Sequence, residues 1–148
     1  MRNILLAACG AASLAMLAPA APAYAQQSSY KAGDLWVAAR IDVEDGQFEN
    51  YMDWLNKVWV PNQEFAKSQG WIKSYHILNN VNNRDGEPDL ILITSFTDMP
   101  SVAEMERRDA IMNQRMNQDD HSGDAASGAR TKMRKQMGST LYRELLKR

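Results

Sequence analysis

The sequence predicts an α+β domain in which four antiparallel strands form one sheet and two helices cover one of its faces, in the order β-α-β-β-α-β. Three observations predict it. Residues 35–43 alternate between an apolar and a mixed face, which is the period of a half-buried strand. Residues 46–68 and the stretch after Pro100 place apolar side chains at helical spacing. Between them, two strand-like runs flank a turn-rich stretch, Asn79-Asn80-Val81-Asn82-Asn83-Arg84-Asp85-Gly86.

The chain of 148 residues opens on a segment that reads as a cleavable leader. Arg2 supplies a positive start, an uncharged apolar stretch runs from Ile4 to about Leu17, and Pro19 and Pro22 end it. The triplet Ala23-Tyr24-Ala25 then has the small residues that a signal peptidase accepts, so residues 1–25 are expected to leave after Ala25. The stretch is too short for a bilayer span of about 20 residues. Leu6-Ala7-Ala8-Cys9 resembles a lipoprotein box, but cutting there leaves too little apolar sequence ahead of it. Cys9 is the single cysteine and departs with the leader. The mature chain then has no disulfide, thiolate site or cysteine nucleophile. The expected location is periplasmic or secreted, with no stable membrane insertion. Losing Arg2 turns a net charge of −1 into −2. A chain this close to neutral argues against nucleic acid as a partner.

Residues 26–33 are a polar, flexible lead-in, and residues 34–148 are one domain. In the first strand Leu35, Val37, Ala39, Ile41 and Val43 share one face; Trp36, Ala38, Arg40 and Asp42 share the other. The first helix follows at 46–68, its stripe built from Phe48, Met52, Leu55, Trp59 and Phe65, widened by Tyr51 and Val58. Asp45 is a suitable cap, and Pro61 predicts a kink or break just before it. Gly70 closes the segment. The second strand is read over 71–81 and the third over 90–97, with Pro88 placed where its missing amide does least harm. Pro100 and Ser101-Val102-Ala103-Glu104 open the second helix with a capping-box pattern. Val102, Met105, Met112 and Met116 form its expected core side. Residues 117–128 read as a long polar loop, 130–137 as a short helix broken by Gly138, and 139–146 as the last strand.

This order is that of a ferredoxin-like sandwich. Over about residues 34–146, the order, the length and the long helix after strand one resemble the dimeric α+β-barrel superfamily, which includes NIPSNAP-type and antibiotic-biosynthesis-monooxygenase-type proteins. The resemblance implies a homodimer whose sheets pair across a two-fold axis. It also implies a small organic ligand, and on some members cofactor-independent or haem-dependent oxygenase chemistry, so that haem is a possible cofactor.

The residues point independently to the sheet face that the helices leave bare. Strand one puts Trp36 and Arg40 there. Strand two offers Ser74, His76 and Leu78 or, in the other register, Lys73, Tyr75 and Ile77; the first set is favoured because it completes an apolar lining. The last strand offers Tyr142 or Arg143. His76 is the candidate base or ligand-binding imidazole, since imidazole exchanges protons near neutrality. Arg40 can clamp a carboxylate, or pair internally with neighbours of Asp42 or with Glu144. Asp119, Asp120, His121 and Asp124 form a weaker candidate for a divalent cation, although their spacing matches no EF-hand. Arg130, Lys132, Arg134, Lys135, Arg143, Lys147 and Arg148 face Glu144 alone in the last 19 residues. They read as a solvated edge, or as a basic surface for an anionic or protein partner. No Gly-rich phosphate loop, H-E-x-x-H or G-x-S-x-G motif occurs.

Overall fold

Alternation makes residues 35–43 a strand, and β1 (Tyr30–Val43), which contains them, is the spine of the sheet. The computed structural model describes residues 27–148. The leader, its cleavage point and Cys9 lie outside the described residues. β1 takes in Tyr30 to Gly33, which the sequence assigns to the lead-in, because their backbone pairs with the end of the last strand, Tyr30 opposite Lys147.

The sheet has four antiparallel strands in the order β2-β3-β1-β4: β2 (Ser74–Asn79), β3 (Leu90–Phe96) and β4 (Arg134–Lys147) join β1. β2 is shorter than the sequence suggests. Trp71 instead packs edge-on against Phe65, their ring centres 5.6 Å apart.

The helical run after β1 starts at Phe48. Asp45 does not cap it; Gln47 takes that position without a side-chain cap bond. α1 (Phe48–Trp54) continues through a π-helical turn (Leu55–Trp59) into α2 (Val60–Ser68). Pro61 therefore does not break the run. Pro61 has no N–H to donate one turn back, and the wider π turn just before it accommodates the loss. That turn delivers Trp59 edge-on to Tyr75 of β2, with ring centres 5.4 Å apart.

Ile41, Leu90 and Leu92 of the sheet enclose Tyr51 and Leu55, with Met52, Trp54, Trp59, Ile77 and Met133 around them. Leu35 is also buried. Phe48 and Val58, expected in the helical stripe, are exposed instead. Burying an aliphatic side chain contributes roughly 1.5–3 kcal/mol, so a core this small gives each member a large share of the stability.

α3 (Val102–Met116) begins as expected: the Ser101 hydroxyl accepts the Glu104 amide. Its methionine stripe is not core, and the helix has no fully buried residue. Val102 is 67% exposed and Met105 is exposed too. Side-chain contacts attach α3 to α2 and to Trp71: Arg108 lies 5.3 Å from the Trp71 ring, Arg115 4.6 Å from that of Phe65, and Asn62 contacts the Met116 sulfur.

The polar stretch 117–128 is not a loop. α4 (Asp120–Ala129) forms within it, opened by a complete capping box between Asp119 and Ser122. Residues 130–137 are not a helix either. A single 3-10 turn (Arg130–Lys132) leads into β4, whose backbone finds hydrogen-bond partners along β1. Gly138 lies inside that strand. The register slips between Arg40 and Ile41, and Gly138 has φ +105 at the slip, a backbone that L side chains rarely adopt.

Candidate functional site

Cross-strand pairing decides which side chains share the face away from the core. Trp36 stands between Ser95 and Tyr142, Ala38 between Ile93 and Thr140, and Arg40 between Ile91 and Gly138. β2 adds Ser74 opposite Ser95, His76 opposite Ile93 and Leu78 opposite Ile91. The register with Ser74 and His76 on this face is the one the structure adopts; Tyr75 and Ile77 turn to the helices, where the Tyr75 hydroxyl donates to Glu64. That bond raises the Tyr75 pKa above its ordinary value. On β4, Tyr142 shares the face. Arg143 instead donates to the Gly33 carbonyl.

Trp36, Arg40, Ser74, His76 and Tyr142 are thus brought onto one surface. At its centre the Trp36 and His76 rings stack, with centres 6.4 Å apart and planes within 10°. Ser95 of β3 lies between their strands, and its hydroxyl pairs with that of Ser74 at 2.6 Å. Ser95 is 2% exposed although it belongs to the bare face. Its role was hidden in the sequence; the one signal is a hydroxyl in the apolar run LILITSF.

Arg40 forms neither of the internal ion pairs considered from sequence. Its Nη2 donates to the Met137 carbonyl at 3.1 Å, while Glu144 accepts from the Asp34 amide. The remaining guanidinium donors of Arg40 are exposed. Leu78 and Tyr142 are also exposed, so in one chain this is an open apolar surface with a cation at one end and a hydroxyl-bearing ring at the other. It suits a flat, partly polar molecule: rings stack on rings, and the guanidinium fork receives an acidic group.

Two of the cation candidates have roles in helix α4. Asp119 caps α4 through the Ser122 amide, and these hydrogen bonds hold its carboxyl below the ordinary range. Asp120 accepts from Asn113. Among the described residues no three His, Asp or Glu side chains gather as a metal site.

The basic C-terminal stretch is only partly a solvated edge. Arg130 lies over Trp54 at 4.9 Å and Arg134 over Tyr51 at 5.8 Å. Both Nε atoms are buried without a hydrogen-bond acceptor. Burial and the neighbouring Arg134 lower the Arg130 pKa, and burial raises that of Tyr51. No helix among the described residues is long and apolar enough to cross a membrane. No family model, curated protein or solved structure matches the chain.

Proposed function

We propose that the protein is an exported, homodimeric ferredoxin-like domain of the α+β-barrel type that holds a small organic ligand against its bare sheet face. The stacked Trp36–His76 pair carries this reading. Two aromatic rings held parallel in the open, with Arg40 at one end and Tyr142 beside them, make a platform for a planar acidic molecule. The strand order β2-β3-β1-β4, with β1 and β3 central, supports the ferredoxin-like assignment. Exposed Leu78 and Tyr142 support a second copy as the cover, since a face-to-face pair would bury both and enclose the ligand. Export rests on the leader-like residues 1–25.

Catalysis on the same face, such as a cofactor-independent or haem-dependent oxygenation, would use His76 as base. A base is normally oriented by a hydrogen-bond partner; among the described residues the His76 side chain makes no hydrogen bond and stacks on the Trp36 ring. Binding without conversion is therefore the preferred reading.

A native mass spectrum of the protein released from its own host tests it. A dimer carrying a discrete extra mass, lost in Trp36→Ala, is the expected result. A bare monomer would sink the dimer and the enclosed site together.

A further inference from the structure

A second surface carries chemistry that the sheet face does not use. Where α4 runs into β4, a pocket of about 430 Å³ is lined by Glu44, Ser127, Thr131, Arg134, Lys135 and Gln136. We propose that this pocket binds a small phosphate-type oxyanion, held by Arg134 and Lys135, with Ser127 as a hydroxyl donor.

The argument begins with uncompensated charge. Arg134 and Arg130 stand close enough to act on each other, and both are laid against aromatic rings. Their Nε–H groups are sealed in without acceptors among the described residues, and Arg134 also lines the pocket. Among the described residues no carboxylate comes within 4.0 Å of Arg130, Arg134 or Lys135. Among the described residues the other half-buried arginine, Arg108, has Glu104 as its oxygen partner. Part of the Arg130 charge is offset by the C-terminus of α4, where it stands as the cap. Arg134, on β4, has no such relief, while Lys135 stands opposite Asp42 in the ladder without a salt bridge to it.

Donor geometry selects the ligand. A planar carboxylate is satisfied by a single guanidinium fork. A tetrahedral oxyanion keeps further oxygens for the Lys135 ammonium and the Ser127 hydroxyl. Thr131 is not counted as a donor, because its hydroxyl already donates to the Gly128 carbonyl at 2.7 Å. Glu44 shares the pocket and opposes any anion there, which gives the proposal a test of sign.

Calorimetric titration of the purified full chain with inorganic phosphate, against acetate and sodium chloride at matched ionic strength, tests it. Saturable binding of phosphate alone is expected. Lys135→Gln, an exposed change, should weaken it several-fold, Arg134→Gln about tenfold or more, and Glu44→Gln should tighten it. If Arg134→Gln does not fold, Arg134→Lys keeps the charge without the fork and should still weaken binding. Phosphate no better than chloride, or Lys135→Gln and Arg134→Lys both binding like the parent, would overturn the site. Phosphatidylglycerol vesicles separate the sources. Vesicle binding that inorganic phosphate displaces assigns the oxyanion to a lipid headgroup. Phosphate binding without vesicle binding assigns it to a free small molecule. Vesicle binding that phosphate leaves intact counts against the pocket.

Discussion

Arg40 reaches from near the end of β1 to the Met137 carbonyl and fastens the register slip of β4 to its neighbour, 3.1 Å from Nη2 to oxygen. The next residue, Gly138, has φ +105, and a Cβ built there would meet nothing closer than the Arg40 Nη2 at 4.0 Å. Space is available, so the obstacle to a side chain is the backbone itself. Gly138→Ala should destabilise the fold by about 1–3 kcal/mol, read from urea unfolding. A variant as stable as the parent would show that β4 relaxes to a regular register.

Leu55 has no exposed surface and sits in the π turn against Ile41, Leu90 and Leu92. Leu55→Ala should cost about 2–5 kcal/mol. Because the core is small, that is a large fraction of the 5–15 kcal/mol typical of a domain. A loss under about 1 kcal/mol would mean that the helix repacks over the gap.

The bare face should behave in the opposite way. Trp36 and His76 contribute little to the core, so His76→Ala should leave the unfolding midpoint nearly unchanged while ligand retention falls. Leu78→Glu, which adds charge to the exposed surface, should shift the proposed dimer toward monomer in sedimentation velocity. Unchanged ligand and oligomeric state in both variants would move the functional site elsewhere.

Glu104 accepts two bonds from Arg107 and one from Arg108, and these hold its carboxyl pKa at about 2. A depressed carboxyl contributes stability that is fully present above its unfolded value, about 4.3. The contribution is lost as pH falls through the folded value. The same two arginines lie over Trp71. Between pH 4.5 and 2, therefore, α3 should loosen and Trp71 emission should shift. Glu104→Gln should remove this acid step, leaving the emission at neutral pH where the parent reaches it only in acid.

Asp119 gives α4 an acid sensitivity of the same sign. Its carboxyl, depressed mainly by the Ser122 amide, caps the helix while ionised and weakens as pH drops below the ordinary aspartate range. Asp119→Ala should lose helical ellipticity at neutral pH, and Asp119→Asn, which can still cap, should retain most of it. Equal ellipticity in all three proteins would show that α4 holds without its cap.

Local pattern was enough where one residue's chemistry decides one local outcome. The period-2 alternation of residues 35–43 marks β1 and its two faces. Ser101 three residues before Glu104 marks the start of α3, and Asn and Gly residues mark the hairpin between β2 and β3. The alternation put Trp36 and Arg40 on the bare face, but whether Ser74 and His76 or Lys73 and Tyr75, and whether Tyr142 or Arg143, join them was open until the cross-strand register was known. Local pattern failed where a distant partner decides. Residues 134–137 carry a helix-like pattern but become strand, because the β1 backbone offers them a ladder of hydrogen bonds. Residues 120–129 look too polar and glycine-rich for a helix, yet the Asp119–Ser122 box nucleates one and Asn113 anchors its first turn. The methionines of α3 read as core, but their burial depends on where the helix docks, and arginines stacked on Trp71 and Phe65 hold it there instead. Sequence alone determined the leader-like start, the faces of β1 and the chemistry available on them. Only tertiary structure decided that Trp36 stacks on His76, and that half-buried Arg130 and Arg134 lie over aromatic rings, because burial and cross-strand contact belong to pairs of residues far apart in the chain.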